Sequence, residues 1–357
     1  MPKIPRIGFA STDWSRSMTT MDGPVPGGSN WVRFQQSRQY MKHDSVTGLL
    51  VHDKRQGFGV LDWFGKTHYN LGVIVIQRLM FNDLVEKMSD RERFSQVIIN
   101  DIDDWYWGLH EDNHAYKLTH PDNNKDENIA HYKKIIQSGD AVVASTPFLR
   151  DKMINDFQCE NVHMVQNCVK VADFAKRYTR NRKPIVGWVG STSHRSGDLE
   201  ILQDVLDNQR FRVHHSGHVE GTTWFADKVG LRRENVTKTP MHHPKQYARL
   251  SFQFDIGVAP LNDVPFNHAK SWIKAIEYAA AFIPFVASDL GEYARLKETY
   301  GIGRLASTPE EWKEHLLELT DYTKRTQEAK RQWDIVNQEL DVRVMAAKWD
   351  EVVSNYV

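Results

Sequence analysis

The residues of this chain best suited to chemistry sit beside short apolar runs, and one stretch poses the question most clearly. From Pro265 to Asp289 it reads PFNHAKSWIKAIEYAAAFIPFVASD, an alanine-rich segment with the look of a buried helix that nevertheless carries Lys270, Lys274 and Glu277. A helix starting near Lys270 offers free backbone N–H groups in its first turn, with Glu277 two turns along on nearly the same face. Seven residues of helix rise about 10 Å, comparable to the span from a diphosphate to a ribose hydroxyl. Lys270, with Ser271 beside it, then suits phosphate, and Glu277 suits the sugar hydroxyls. Taken alone, Glu277 is explained more simply as an intrahelical partner of Lys274.

Three further stretches have comparable chemistry. After PIVGWVG, ending at Gly190, come Ser191, Thr192, Ser193, His194 and Arg195, leading into a helix expected near Asp198. Small residues in a turn, a helix start behind them and an arginine alongside suit a phosphate group; a tight turn with a solvated arginine fits the same residues. The stretch is neither GxGxxG nor a P-loop. Gly27, Gly28 and Ser29 precede a helix carrying Arg33 and Arg38, although a Gly-Gly pair after proline is most often only a turn. IINDIDDWYWGLHEDNH puts Asp101, Asp103 and Asp104 at the end of an apolar strand. That cluster has three readings: acceptor contacts or catalysis, a capped helix start, or a D-x-D divalent metal site. His214, His215, His218, His242 and His243 have no zinc spacing with Cys159 or Cys168 and read as loops flanking strands.

The elements that must position these residues follow from ten short apolar runs: IGFA, GLLVH, LGVIVIQ, FSQVIIND, DAVVAST and VHMVQN, then PIVGWVGS, FRVHHSG, FDIGVAPL and FIPFVASD. Such runs read as strands buried on both faces of a parallel sheet, with helices between them. The result is α/β, with ligands outside the carboxyl ends of the strands. The rhythm breaks at Ala172 to Pro184, a basic, polar segment ending in proline. It reads as a linker between an N-terminal domain, 1–180, and a second domain, 181–331. Residues 332–357 read as a C-terminal helix with apolar positions at Trp333, Val336, Leu340, Val344, Ala347, Trp349 and Val352, able to pack on either domain.

Composition narrows the partners. Lys plus Arg and Asp plus Glu each number 46, so no global field forces nucleic acid or an anionic membrane on the chain. Two cysteines are too few for a disulfide scaffold of this length and point to a reducing cytoplasm. No signal-peptide apolar run opens the sequence, and no segment approaches the roughly 20 apolar residues of a spanning helix.

GWVGSTSHRSGDLEIL, followed by FDIGVAPLNDVPFNHAKSWIKAIEYAAAFIPFVASDLGEY, resembles the nucleotide-sugar domain of GT-B glycosyltransferases, in particular the retaining group that includes sucrose and glycogen synthase-like enzymes. GGSN, DIDDW, VVASTPFL and VQN in the first half resemble a branch common in bacteria and bacteriophages. The resemblance implies a GT-B fold, two Rossmann-like doubly wound domains facing across a cleft that holds a nucleoside-diphosphate sugar, UDP- or GDP-linked. By position, Glu277 resembles the second glutamate of the family's E-x7-E pattern, which contacts the donor ribose. The first glutamate falls at Ala269, a departure that leaves Asn267, His268 or Lys270 to take over its sugar contacts. Arg195 and Lys270 match the basic pair on the diphosphate; Gly190, Ser191 and Thr192 lie beside it, and Gly27 and Gly28 align with the glycine-rich loop facing the donor phosphates. The reaction implied is sugar transfer to a hydroxyl with retention, through charge stabilisation of the departing diphosphate. It needs no obligatory metal, and Asp103 and Asp104 become candidates for holding acceptor or sugar.

The acceptor stays open among a glycan, a protein, a small molecule and DNA carrying a hydroxymethylated base. The DNA reading comes from Arg16, Arg33, Arg38, Lys42, Lys54 and Arg55, interleaved with Trp14, Trp31, Phe34 and Tyr40. Two other classes compete: a non-catalytic or epimerase-like nucleotide-sugar binder, and a metal-dependent GT-A transferase using Asp101 and Asp103. The expected setting is the cytoplasm of a bacterium or of a phage-infected host cell. Oligomeric state is not legible.

Overall fold

A computed structural model describes residues 6–20, 23–113, 115–119, 128–176, 179–180, 183–194 and 197–356. The chain divides into two compact units. One comprises Met1–Gly108, Ala115–Asn167 and Val342–Val357; the other comprises Leu109–His114 and Cys168–Asp341.

The strands of the first unit are β1 (Ile7–Ser11), the hairpin β2 (Trp14–Thr20) and β3 (Gly23–Pro26), β4 (Ser45–Asp53), β5 (Gly57–Leu61), β6 (Thr67–His68), β7 (Val73–Gln77), β8 (Val97–Ile102), β9 (Ala141–Ala144) and β10 (Val162–Met164). Its main sheet runs β10-β9-β8-β7-β1-β4-β5-β6. β10 through β4 are parallel, with Val and Ile filling β7, where every residue is buried. β4 changes role along its length: Ser45–Gly48 pair parallel with β1, and Leu49–Asp53 turn antiparallel onto β5. The GLLVH run is therefore not buried on both faces, and Leu49 is exposed. The chain leaves β1 for β4 on one side and returns to β7 on the other, so the carboxyl ends of β1 and β7 flank a topological switch point. Ser11 and Gln77 face each other there.

The second unit contains β11 (Ile185–Val189), β12 (Arg212–His218), β13 (Val236–Pro240), β14 (Ile256–Ala259), β15 (Phe285–Ser288) and β16 (Arg304–Ala306). The order β13-β12-β11-β14-β15-β16, all parallel, is the 3-2-1-4-5-6 order of a Rossmann sheet. Its switch point lies between the carboxyl ends of β11 and β14. Trp188, Phe225, Trp312 and Leu316 belong to the core packed against this sheet.

All ten expected strands form, but three sequence expectations are corrected. The units divide at Asn167–Cys168, not at residue 180. No α-helix follows β11 among the described residues; 3₁₀ turns at Thr192–His194 and Glu200–Leu202 stand in its place. Residues 332–357 are not one helix. Tyr322–Glu339 packs in the second unit, the chain breaks at Leu340–Asp341, and Val342–Ser354 packs in the first. The apolar face restarts at Val342, with Met345, Ala346, Trp349 and Val353 buried and Ala347 exposed.

Candidate functional site

At the switch point of the second unit two glycines let backbones approach each other. Gly190 follows β11 with φ +146°, and its N–H donates to the Ser216 carbonyl at 2.8 Å. Gly217, with φ +104°, lies so close that a Cβ there would sit 3.0 Å from the Gly190 carbonyl oxygen. A side chain at either position is strained by the backbone conformation, and at Gly217 it also crowds the Gly190 backbone. The His215 Nε2–H donates to that same carbonyl at 2.9 Å, its ring clustered with those of Trp188 and Phe225, which also meet each other. Burial, with help from the charges of Lys274 and Lys238, pushes the imidazole down to about 4 against the pull of the Gly190 bond. His215 is therefore a neutral, fixed strut under the turn at ordinary pH.

Helix Ile273–Ala280 supplies the charged groups. Its first-turn Lys274 donates to the Val189 carbonyl and lies over the Trp188 ring. Its ammonium sits about where a Cβ on Gly190 would touch it, at 3.4 Å. One turn on, Glu277 accepts a 2.8 Å hydrogen bond from the Tyr247 hydroxyl of helix Pro244–Leu250. Burial pushes the Glu277 carboxyl up to about 7, opposed by the charge of Lys274 and by the Tyr247 bond. A cation and an acceptor of tunable charge thus stand one helical turn apart beside the β11 exit. That arrangement can hold an anionic group and a hydroxyl-bearing group of one ligand.

The helix begins three residues later than the sequence suggested. The short helix Pro265–His268 ends first, and the fully buried Trp272 occupies the N-cap of the next. Lys270 and Ser271 therefore lie in the link, not the first turn, and the Lys270 ammonium sits 4.1 Å from the centroid of the Phe266 ring. Asn267 is buried and donates to Asp198 at 2.6 Å and to the Asn262 carbonyl at 2.9 Å. Asp198 also accepts from the Asn262 N–H, so it anchors the β14 exit and does not cap a helix after β11. His268 pairs with Asp263 at 2.7 Å, and Ala269 is buried. Ser191 bonds Ser193 at 2.7 Å, while the buried Thr192 donates to the Thr223 carbonyl at 2.7 Å. Arg195 lies outside the described residues.

The first unit has its own polar cluster at the strand ends. Arg33, fully buried, forks onto Asp101 with contacts of 2.6 and 3.1 Å and also donates to Asn167 and the Val165 carbonyl. Gln77 donates to Asp101 at 3.0 Å and accepts from Ser11 at 2.9 Å. Arg33 is thus an interior strut, not a cation available to an external phosphate. Asp103 and Asp104 are gathered by Arg78, at 3.0 and 2.8 Å, which also reaches Ser29 at 2.6 Å. Burial works against the Arg78 charge, but Asp103, Tyr106, Asp104 and Asp13 outweigh it and raise its pKa further. Its backbone has φ +58°, an uncommon conformation for a bulky side chain. Gly27 is dictated locally: a Cβ there would lie 2.0 Å from the Asp13 carboxylate, which accepts from the Asn30 N–H. A Cβ on Gly28 would meet open space. Asp101 and Asp103 are held by different guanidinium groups, so the D-x-D pair does not act as one ligand set here.

Arg78 and Tyr247 were not singled out in the sequence, Lys274 was read only as a partner for Glu277, and His214, His215 and His218, read as loop residues, lie within β12. Arg78 stands one residue beyond LGVIVIQ, and the strand-end rule already in use points to it. Lys274 was visible as the residue three before Glu277.

Two doubly wound units on parallel sheets define the GT-B fold, shared with glycosyltransferases of known structure. Sucrose-phosphate synthase from Thermosynechococcus elongatus superposes with a TM-score of 0.68 at 12% identity, over 98% of each chain. HepE of Anabaena, in complex with UDP and glucose, gives 0.65 at 12% identity over 98% of this chain and 100% of its own. A glycosyltransferase from Rickettsia africae ESF-5 gives 0.65 at 11% identity, over 100% and 99%. In sequence, a Bacillus subtilis (strain 168) protein that carries the name teichuronic acid biosynthesis glycosyltransferase TuaH is 25% identical over 183 residues, 47% of this chain. The match spans less than half, 45%, of that relative's length. No protein-family model matches the chain. The GT-B architecture overturns the GT-A reading.

Proposed function

We propose that this protein is a glycosyltransferase that moves a sugar, most simply a hexose, from a nucleoside-diphosphate donor to a hydroxyl acceptor with retention. The observation that carries the reading is the pairing of Lys274 and Glu277 beside the Gly190 turn, at the switch point of a 3-2-1-4-5-6 sheet. There Lys274, with Lys270, offsets the charge of the leaving diphosphate, a role the sequence resemblance also gives Arg195, and Gly190, Ser191 and Thr192 give the phosphates a close backbone approach. Glu277, steadied by Tyr247, accepts from the ribose. Binding, orientation and charge stabilisation supply the rate, and the donor phosphate takes the acceptor proton. HepE, of the same fold, is complexed with UDP-glucose, which favours a UDP-sugar as the first donor to try.

For the acceptor, the first unit contains a cavity of about 970 Å³ lined by Trp14, Trp63, Leu49, Val51, Leu79 and Phe81, opening beside Ser11 and Thr12. Trp14 and Trp63 meet edge to face, their centroids 4.5 Å apart. Aromatic walls suit the apolar face of a glycan or an apolar aglycone. The DNA reading loses one of its cations, because Arg33 is spent on Asp101. Asp103 and Asp104, gathered by Arg78, are candidates for orienting the acceptor hydroxyl.

The test is a screen of UDP-, GDP- and ADP-sugars against glycan acceptors and hydroxymethylated DNA, read by mass spectrometry. Transfer with release of nucleoside diphosphate, abolished in Glu277→Ala and Lys270→Ala and reduced at least about 100-fold in Lys274→Met, is the expected result. Donor binding with no release of nucleoside diphosphate from any donor would identify a mere nucleotide-sugar binder.

A further inference from the structure

The second unit has another hollow, away from the strand exits. Its volume is about 620 Å³, and it is lined by Lys297, Arg304, His315, Lys324, Glu328 and Arg331 around the Gly303 turn. Arg304 opens β16 and Gly303 precedes it, so the hollow lies at the amino end of that strand, whereas the candidate donor groups sit by the carboxyl ends. The cations come from three separate elements: helix Gly291–Tyr300, β16 and helix Tyr322–Glu339.

The charges there do not balance. Arg304 is paired with Glu318 and, at 2.9 Å, with Glu328; the same Glu318 is the carboxylate 3.6 Å from Lys324. Lys297 and Arg331 are held by neutral carbonyls, Lys297 on Gly303 at 2.9 Å and Arg331 on Gly301. A carbonyl orients an ammonium or guanidinium but leaves its charge in place. Four cations therefore share two carboxylates. The Lys297 ammonium registers the excess: partial burial and then the charge of Arg331 lower its pKa, and Arg304 lowers it further against Glu328. His315 adds a group without a role. Its Nε2–H donates to the Leu305 carbonyl at 3.0 Å, and its buried Nδ1 has no hydrogen-bond partner among the described residues. His315 thus lines the hollow as a ring oriented by the Leu305 carbonyl, and the attraction for an anion comes from the four cations.

We propose that this hollow is a second anion site, for a phosphate-type dianion, separate from the candidate donor site and independent of the glycosyltransferase reading. A dianion takes up the surplus of two positive charges, and the forked Arg331 with the exposed Lys324 can reach it from one helix. The same chemistry is offered by free phosphate and by the headgroup of an anionic lipid, and the test separates them.

The full chain is titrated calorimetrically with inorganic phosphate at constant ionic strength. In parallel it is sedimented with vesicles of phosphatidylcholine alone or mixed with phosphatidic acid, whose headgroup is a phosphomonoester. The variants are Lys324→Gln/Arg331→Gln, the milder Lys324→Gln, whose side chain is 57% exposed, and Lys330→Gln, an exposed neighbour outside the hollow. Thermal melts confirm folding, and the single variant decides if the double variant melts early. Saturable phosphate binding that weakens about tenfold or more in the double variant, and less than about twofold in Lys330→Gln, is the expected result for a soluble anion. Binding to phosphatidic acid vesicles alone, with the same variant pattern, assigns the site to a lipid headgroup. The proposal fails if neither probe binds saturably, if the double variant binds as well as wild type, or if Lys330→Gln loses as much as the hollow variants.

Discussion

At the scale of single residues, Glu277 is the most informative side chain because its environment and its role pull in different directions. Burial holds its carboxyl at about 7, whereas an unfolded glutamate titrates near 4.5. Below 4.5 the group is neutral in both states and costs nothing. As pH rises through this window the unfolded chain releases the proton while the native protein keeps it, so stability falls until about pH 7 and then levels. The expected loss is on the order of 2–3 kcal/mol. Glu277→Gln lacks this titration, so denaturant melts at pH 5 and pH 8 should show wild type losing stability relative to the variant. Equal losses in the two proteins would mean the carboxyl titrates normally. The aspartates of the first unit separate in the same way. Asp101→Asn leaves the buried Arg33 without its counter-charge and should cost about 3–5 kcal/mol, while Asp103→Asn still leaves Asp104 on Arg78 and should cost less, about 1–2 kcal/mol. Denaturant midpoints distinguish an interior strut from a group free to serve a site.

At the scale of elements, the turn after β11 depends on two glycines in different strands' exits. Gly217→Ala would push a methyl group within 3.0–3.2 Å of the Gly190 backbone at a φ of +104°. A loss of about 1–3 kcal/mol is expected, seen as a lower midpoint with an unchanged denaturant slope. Because Gly190 lies against Lys274, nucleotide-sugar turnover should fall with it. The strands themselves were plain in the sequence: runs such as VIVI and FVA are apolar throughout because both faces of a central parallel strand are covered. What local pattern could not carry was partnership. Nothing near residue 33 announces that its guanidinium belongs to Asp101 and Val165, and Asp198 resembles a helix cap until β14 brings Asn262 and Asn267 to it. The late helix start is equally non-local, since it follows from the burial of Trp272. Lys274 was legible but read as a partner for Glu277, because i to i+3 pairing is the cheaper account when the neighbouring strand exit is unknown.

At the scale of the whole molecule, the chain's last helix belongs to its first unit. After Asp341 it leaves the second unit, and Val342–Ser354 completes the core of the first. Trp349 is fully buried there, meeting Phe9 at 5.8 Å and Phe34 at 6.0 Å between centroids. Asp350 accepts from the Lys42 N–H at 2.8 Å and pairs with the His43 ring at 2.6 Å. This helix therefore joins residues more than 300 positions apart, and no local signal at either end predicts the join. Ending the chain at Asp341 removes Met345, Trp349 and Val353 from one core and nothing from the other. Losing a buried tryptophan alone is worth about 3–5 kcal/mol, a large share of a domain's total stability. The truncated protein should show the first unit exchanging its β1 and β7 amide hydrogens near the unfolded rate, with β11 and β14 in the second unit protected as in the full chain. Uniform loss of protection across both units would mean that the two fold as one cooperative body, and unchanged protection of β1 would mean the helix is dispensable to the core it covers.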